Sequence, residues 1–231
     1  MTTSTSRRNP TMNAPTMNAP AVSAPVVTVP PGEVDSRAAY TVFALAYVIG
    51  HGLAALSKGT EPLLDLPGWL PATLFGAGVV PALTLAVRAG IRSQKGASES
   101  RRNAEKLLGA AWCTGFTALF LAITGLARAT GISELQNVLW PAGSVLIVGL
   151  ISIAEGTARR NTLHYTLGSW LAIVAATALF FAPAGLYATL AIAAGGGYAV
   201  AAVLERRRIT ALSATDANLT QRTADPVPTL N

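Results

Sequence analysis

The chain carries little charge and almost none of the residue patterns that catalysis needs. Only 12% of its 231 residues are Asp, Glu, Lys or Arg, about half the share usual for a soluble domain. A water-facing surface cannot be covered on that allowance. There is one cysteine, Cys113, so no intrachain disulfide is possible. It falls inside an apolar run, where a small packing residue is the expected role, and nothing beside it marks a reactive thiol. No Asp, Glu, Lys or Arg lies in the middle of any apolar run. That argues against a proton-coupled carrier built on a buried carboxylate. It also argues against an intramembrane protease using paired carboxylates or a His/Glu metal motif. Phosphate loops, dinucleotide fingerprints and nucleophile elbows are missing. The lone Gly195-Gly196-Gly197 falls within an apolar run and reads as packing. Zinc-finger spacing and aromatic–basic interleaving are missing too, so nucleic acid is not expected as a partner. The expectation is a protein that is not an enzyme and holds no metal or cofactor.

What is present is apolar sequence. Hydrophobic residues make up 51% of the chain and the mean hydropathy is +0.45. Six runs of about 18–22 residues follow one another, at about 38–56, 69–87, 107–126, 135–154, 163–182 and 184–204, each near the roughly 20 residues that cross a bilayer core. From Leu163 to Leu204 no charged residue interrupts. One helix of that length would be roughly 60 Å long, twice the bilayer, so the segment must turn, and Pro183-Ala184-Gly185 is the obvious place. Backbone groups in lipid can be satisfied only by helices or closed barrels, and these runs are too long and unbroken for barrel strands. The fold class expected is therefore all-α integral membrane, with six transmembrane helices arranged as three helical hairpins.

Orientation follows from lysine and arginine. Fifteen of the 17 fall on the N-terminal side, between runs two and three, between runs four and five, or after run six; only Lys58 and Arg128 fall on the other face. Positive residues stay on the cytoplasmic side, so both termini are expected to be cytoplasmic in a bacterial plasma membrane. The bacterial assignment comes from the excess of arginine over lysine, 14 to 3, with abundant alanine, as in GC-rich genomes. A signal sequence cleaved after run one, at Ala55-Leu56-Ser57, is the lesser alternative and would leave five spans. Trp69 and Trp140 at the outer interface and Tyr40 and Tyr165 at the inner one suit aromatic anchoring. The net charge of +6 sits beside the apolar runs, which makes anionic lipid headgroups the natural partner.

Flanking the bundle, residues 1–36 carry a proline every five residues from Pro10 to Pro30 and a tandem Thr-Met-Asn-Ala-Pro repeat. Such spacing blocks helix and removes donors, so a disordered cytoplasmic tail is expected there. A second flexible tail is expected over 209–231. Runs two, four and six each begin near a Pro-Ala pair, at Pro71, Pro141 and Pro183, and runs three and five share Leu-Gly followed by Trp112 and Trp170, a weak sign of internal repetition. Small residues recur every four positions, as in Ala46-Gly50-Ala54, Gly78-Ala82-Ala86 and Gly168-Ala172-Ala176, which lets helix backbones approach closely.

Few residues remain as site candidates. His51 lies within run one between Gly50 and Gly52, where an imidazole could bind a ligand or relay a proton. Pro81 interrupts run two and should kink it, as a hinge or as a static bend. His164 is expected at the headgroups, and Glu155 is spaced to pair with Arg159. The segment from Ser57 to Gly68, with Glu61 and Asp65 among leucines, is the best candidate for an outer lid. The basic segment from Arg88 to Lys106 could dock a partner or anchor to anionic lipid. The leading expectation is a transport or permease-type membrane subunit without its own ATPase, which needs either a partner ATPase subunit, a passive gradient or a homo-oligomer. The alternative is a non-transport regulator, stress-related envelope component or scaffold. A carrier should gather polar groups such as Thr114, Thr117 or Ser144 with His51 on one cavity; a scaffold should be dry.

Overall fold

The computed structural model describes residue 29 and residues 32–224. The Thr-Met-Asn-Ala-Pro repeat, most of the N-terminal tail and residues 225–231 lie outside them. The described chain is six helices and no strand. They are α1 (Arg37–Ser57), α2 (Leu70–Ser93), α3 (Glu99–Thr130), α4 (Leu135–Ala158), α5 (Thr162–Ala178) and α6, which runs without a break through Pro183–Thr189, Leu190–Ala194 and Gly195–Ala224. Five of the six are long and apolar enough to cross a membrane. The other, α5, has 17 residues, roughly 25 Å of helix. Its apolar run continues in a tight turn, where the amides of Leu179, Phe180 and Phe181 each bond the carbonyl three residues back.

Local chemistry sets the ends. Ser98 accepts the Arg101 amide at the start of α3, and Asn161 accepts the His164 amide at the start of α5, the usual satisfaction of first-turn donors. Pro71 and Pro183 sit in the first turns of α2 and α6, where no N–H is needed. The turn between α5 and α6 thus falls at 179–182, just before Pro183, because proline starts the new helix and does not bend the old one. Gly131 closes α3 with φ +70°, the left-handed conformation that glycine adopts without strain.

The core lies among α1, α4, α5 and α6, around Tyr47, Val145, Leu171, Leu186, Leu190 and Tyr198. The closest pairing joins α4 to α5, across the boundary between two of the expected hairpins. A Cβ on Gly149 would sit 2.6 Å from the Ala172 nitrogen, and one on Gly168 would sit 2.7 Å from the Gly149 oxygen, so these two backbones touch and only hydrogen fits between them. Helices α1 and α6 run antiparallel, the last turn of α1 against Pro183–Thr189 and its first turns against the stretch after Gly195. Each contains one π-helical turn, Tyr47–His51 and Leu190–Ala194, and the two turns pack on each other. Helix α2 leans on α1, and α3 leans on α4. Helix α3 is the most peripheral, with only Ile123 and Ala127 buried.

Several expectations change here. Cys113 is exposed on α3, since α3 shows most of its circumference outward, so it is no packing residue of this chain. The boundary expected at Arg208 falls within a helix: α6 continues to Ala224, and Ile209 is fully buried. At the other end, Val34 and Ser36 are buried against the bundle, so the end of the expected tail is docked. Pro81, by contrast, lies inside a helix as expected, twelve residues into α2.

Candidate functional site

One end of the bundle, marked by Lys58, holds a pocket of about 410 Å³. Its walls come from α1, from the start of α2, from α4, and from Tyr187 on α6. Two of the three Pro-Ala pairs, at Pro71 and Pro183, start helices at this end, and the third, at Pro141, lies inside α4 two turns from its start. Pro71 and Pro141 themselves line the cavity, and Tyr187 reaches it from the first turns after Pro183.

His51 sits at the end of the π-helical turn of α1. A π-turn inserts one residue into the helical register and re-aims the side chains around it, a feature common at functional sites. The imidazole is 4% exposed and lies among rings: its centroid is 4.3 Å from that of Phe75, 5.1 Å from Tyr47 and 5.8 Å from Tyr187. Gly50 allows this approach, since a Cβ there would lie 2.5 Å from the Phe75 Cβ. The Nε2 atom of His51 has no hydrogen-bond partner among the described residues, and no other buried side-chain nitrogen or oxygen described shares that condition. An unpaired buried polar atom costs roughly 1–3 kcal/mol, so this one needs a reason to persist. Above it, Tyr187 donates its hydroxyl hydrogen to the Asn137 carbonyl at 2.9 Å, and the Lys58 ammonium lies 5.8 Å from the Tyr187 ring centre.

Ser144 joins His51 on this pocket; Thr114 and Thr117 do not, being exposed on α3. The segment from Ser57 to Gly68 contributes Lys58 and Gly68 to the lining, while Glu61, Leu63 and Asp65 are exposed beyond it. Trp140 lines the pocket and Trp69 is exposed near its edge. The aromatic cage of Tyr47, Phe75, Trp140 and Tyr187 was not singled out from sequence. The available signal was the recurrence of Pro-Ala pairs near the beginnings of runs two, four and six, read together with Gly50-His51-Gly52.

The opposite, arginine-rich end is built differently. Glu155 accepts the Trp112 indole N–H at 2.7 Å and an Arg159 N–H at 3.0 Å, and its other contact is His164 Nε2 at 3.2 Å. The Tyr40 hydroxyl lies 2.6 Å from His164 Nδ1. One tautomer satisfies this whole chain: Nε2–H donates to Glu155 while Nδ1 accepts from Tyr40. Arg159 also donates twice to Glu105 on α3, at 2.8 and 2.6 Å. The network therefore ties α1, α3, α4 and α5 together. A second clamp centres on Glu205, which is fully buried; it accepts from the Ser36 amide and from Arg208, and Arg208 reaches on to Glu33 and the Val34 carbonyl. The Glu155–Arg159 pair is the one expected from spacing. His164 and Tyr40 are corrections: both point into the bundle and bond each other, so neither is a headgroup contact or interfacial anchor, although Tyr165 is half-exposed as an anchor would be.

The fold defines an all-helical protein whose helices are apolar enough to lie in a membrane, with one ring-lined pocket at one end and interlocked ion pairs at the other. No family model, curated protein or solved structure matches the chain.

Proposed function

We propose that this chain is a transport or permease-type membrane protein without an ATPase of its own, and that the Lys58-end pocket receives its small-molecule ligand. The observation that carries the reading is the unpartnered Nε2 of a nearly fully buried His51 beside that cavity. A wholly structural histidine would be expected to find a partner, as His164 does. A few polar groups converging in a mostly apolar hollow is the ordinary form of a small-molecule site. The role is binding and passage: among the described residues no side chain is hydrogen-bonded to His51 Nε2, so no acid–base or nucleophilic pair is assembled on it. In this reading all six helices span a bacterial plasma membrane, with both termini cytoplasmic and the pocket facing outward. Pro81 lies six residues beyond Phe75 on α2, so a bend there would move the pocket wall, which suits a hinge.

The test is a stability-shift screen of the purified full-length chain in detergent against small metabolites, run beside His51→Phe. A ligand that stabilises the unchanged protein and not the variant supports the reading. A screen in which nothing distinguishes the two proteins counts against it. Impermeant amine labelling of Lys58 but not Lys95 in intact cells checks the orientation.

A second reading, a regulator or scaffold without transport, is favoured by the broad apolar face that α3 leaves uncovered within this chain. Co-purification through a C-terminal tag separates the two. A stoichiometric cytoplasmic ATPase supports the permease subunit; a sensor kinase or envelope enzyme supports the scaffold.

A further inference from the structure

We infer that the ligand of the Lys58-end pocket is a small organic anion, a carboxylate carried on an apolar, ring-sized body. This rests on the ligand-pocket reading above and adds the charge and shape of what is bound.

Charge comes first. None of the residues lining the cavity is Asp or Glu, and Lys58 is the one lining residue with a full charge. Lys58 has no ion pair among the described residues; its contact is the Tyr187 ring face, 5.8 Å from ammonium to centroid. That is near the outer limit for a cation–π contact, and it leaves the ammonium donors free for an anion. The carboxylates that lie beside lining residues in sequence do not compensate it. Glu61 and Asp65 are exposed and outside the lining, and Glu134 accepts the Asn137 side-chain amide at 2.6 Å. A cationic ligand would meet an uncompensated ammonium at the mouth, while an anion would supply the partner Lys58 lacks. Because the surroundings are apolar, the attraction is less screened than on an open surface.

Shape follows from the walls. Tyr47, Phe75, Trp140 and Tyr187 present ring faces and edges to a cavity of about 410 Å³, room for one ring-bearing molecule. Such walls reward flat apolar bodies through offset and edge-on ring contacts. At the buried end, His51 lines the cavity and keeps an unpartnered ring nitrogen that neighbouring atoms cover. In its neutral form that atom is a donor or an acceptor according to tautomer, so a rotation of the ring toward the cavity would bring it to a hydroxyl or N–H on the far side of the ligand. The site therefore has one charged point at its mouth, an aromatic middle and one directional polar point at depth.

The experiment uses the full-length chain in detergent and four probes: phenylacetate, phenylacetamide and phenethylamine, which keep one body and change its charge, and octanoate, which keeps the carboxylate on a chain. Binding is read by tryptophan emission, with Trp140→Phe locating the signal. The expected result is that phenylacetate binds at least about tenfold tighter than the amide and the amine. In Lys58→Met that preference disappears while the amide binds as before. Octanoate matching phenylacetate would identify a lipid-derived acid as the source of the carboxylate, and weaker octanoate binding would identify an aromatic acid. Equal binding of the three phenyl probes, or preference for the amine, overturns the inference and leaves the pocket reading standing. Silence from all four probes overturns both.

Discussion

The two ends of this bundle bury polar groups under opposite rules. At the arginine-rich end every buried side-chain nitrogen and oxygen among the described residues meets a partner, so Glu155 and Glu205 are stitched to four helices and to the segment before α1. At the Lys58 end a buried imidazole keeps an unpaired nitrogen, and the space beside it is hollow. Desolvation charges both ends alike. Only the first recovers it within the chain, which is how a structural clamp differs from a place prepared for something else.

The sharpest way to break that comparison is to remove Glu205. Glu205→Ala leaves Arg208 and the Ser36 amide without their main acceptor, and the loss expected is about 3–5 kcal/mol, as for a broken buried pair. Unfolding of the purified chain in a graded denaturing detergent reads it; a loss under 1 kcal/mol would show the clamp to be ornamental. Next comes Glu155→Gln, which keeps the shape and removes the charge; about 1.5–3 kcal/mol should go with the charge-assisted bonds to Trp112, Arg159 and His164. Mutating Arg159 and Glu155 together should cost less than the sum of the two single losses, since both act in one network.

The opposite sign is predicted at the other end. His51→Phe replaces an unsatisfied ring by an apolar one among Phe75, Tyr47 and Tyr187, and the same unfolding measurement should show it neutral or more stable by up to about 1–3 kcal/mol. A clear destabilisation would mean that His51 holds the structure, and the contrast between the ends would collapse. The smallest effect belongs to Asp35, outside the bundle. The hydrogen bond and charge of Arg37 hold its carboxyl below the ordinary carboxylate range. A lowered pKa stabilises the fold above the ordinary range and is lost as pH falls through the lowered value. Because both partners are about 30% exposed, solvent screening limits the contribution to under about 1 kcal/mol. Asp35→Asn should therefore shift stability slightly at neutral pH and not at all in strong acid, as a pH series of unfolding curves would reveal.

Much of the helix plan was legible from the chain. The expected runs at 69–87 and 135–154 correspond to Leu70–Ser93 and Leu135–Ala158, and Pro183 marked the last start to within a residue. Helix ends were placed short where polar residues prolong the helix beyond apolar sequence, as Glu99 to Lys106 do in α3 and as the turns after Arg208 do in α6. Of the site, His51 and Ser144 were visible, one by its rarity and the other as a polar group to be gathered. Tyr47, Phe75 and Tyr187 were not, because an aromatic residue in an apolar run looks the same whether it faces a neighbour, a cavity or lipid. Tyr40 and His164 were misread for a related reason: their spacing places them near an interface but does not tell which way they point.

By itself the sequence determined that the chain is helical and apolar, where every helix but α3 begins, and that few polar residues lie within its apolar runs. Those properties add up along the chain, residue by residue, through hydropathy, proline positions and caps. Only the tertiary structure decided that Gly149 meets Gly168, that Glu155 and Glu205 are fully partnered, and that His51 is not. In helices that are apolar on nearly every side, no hydrophobic stripe specifies a rotation, so the choice of neighbour falls to close packing and to the need to pair each buried charge.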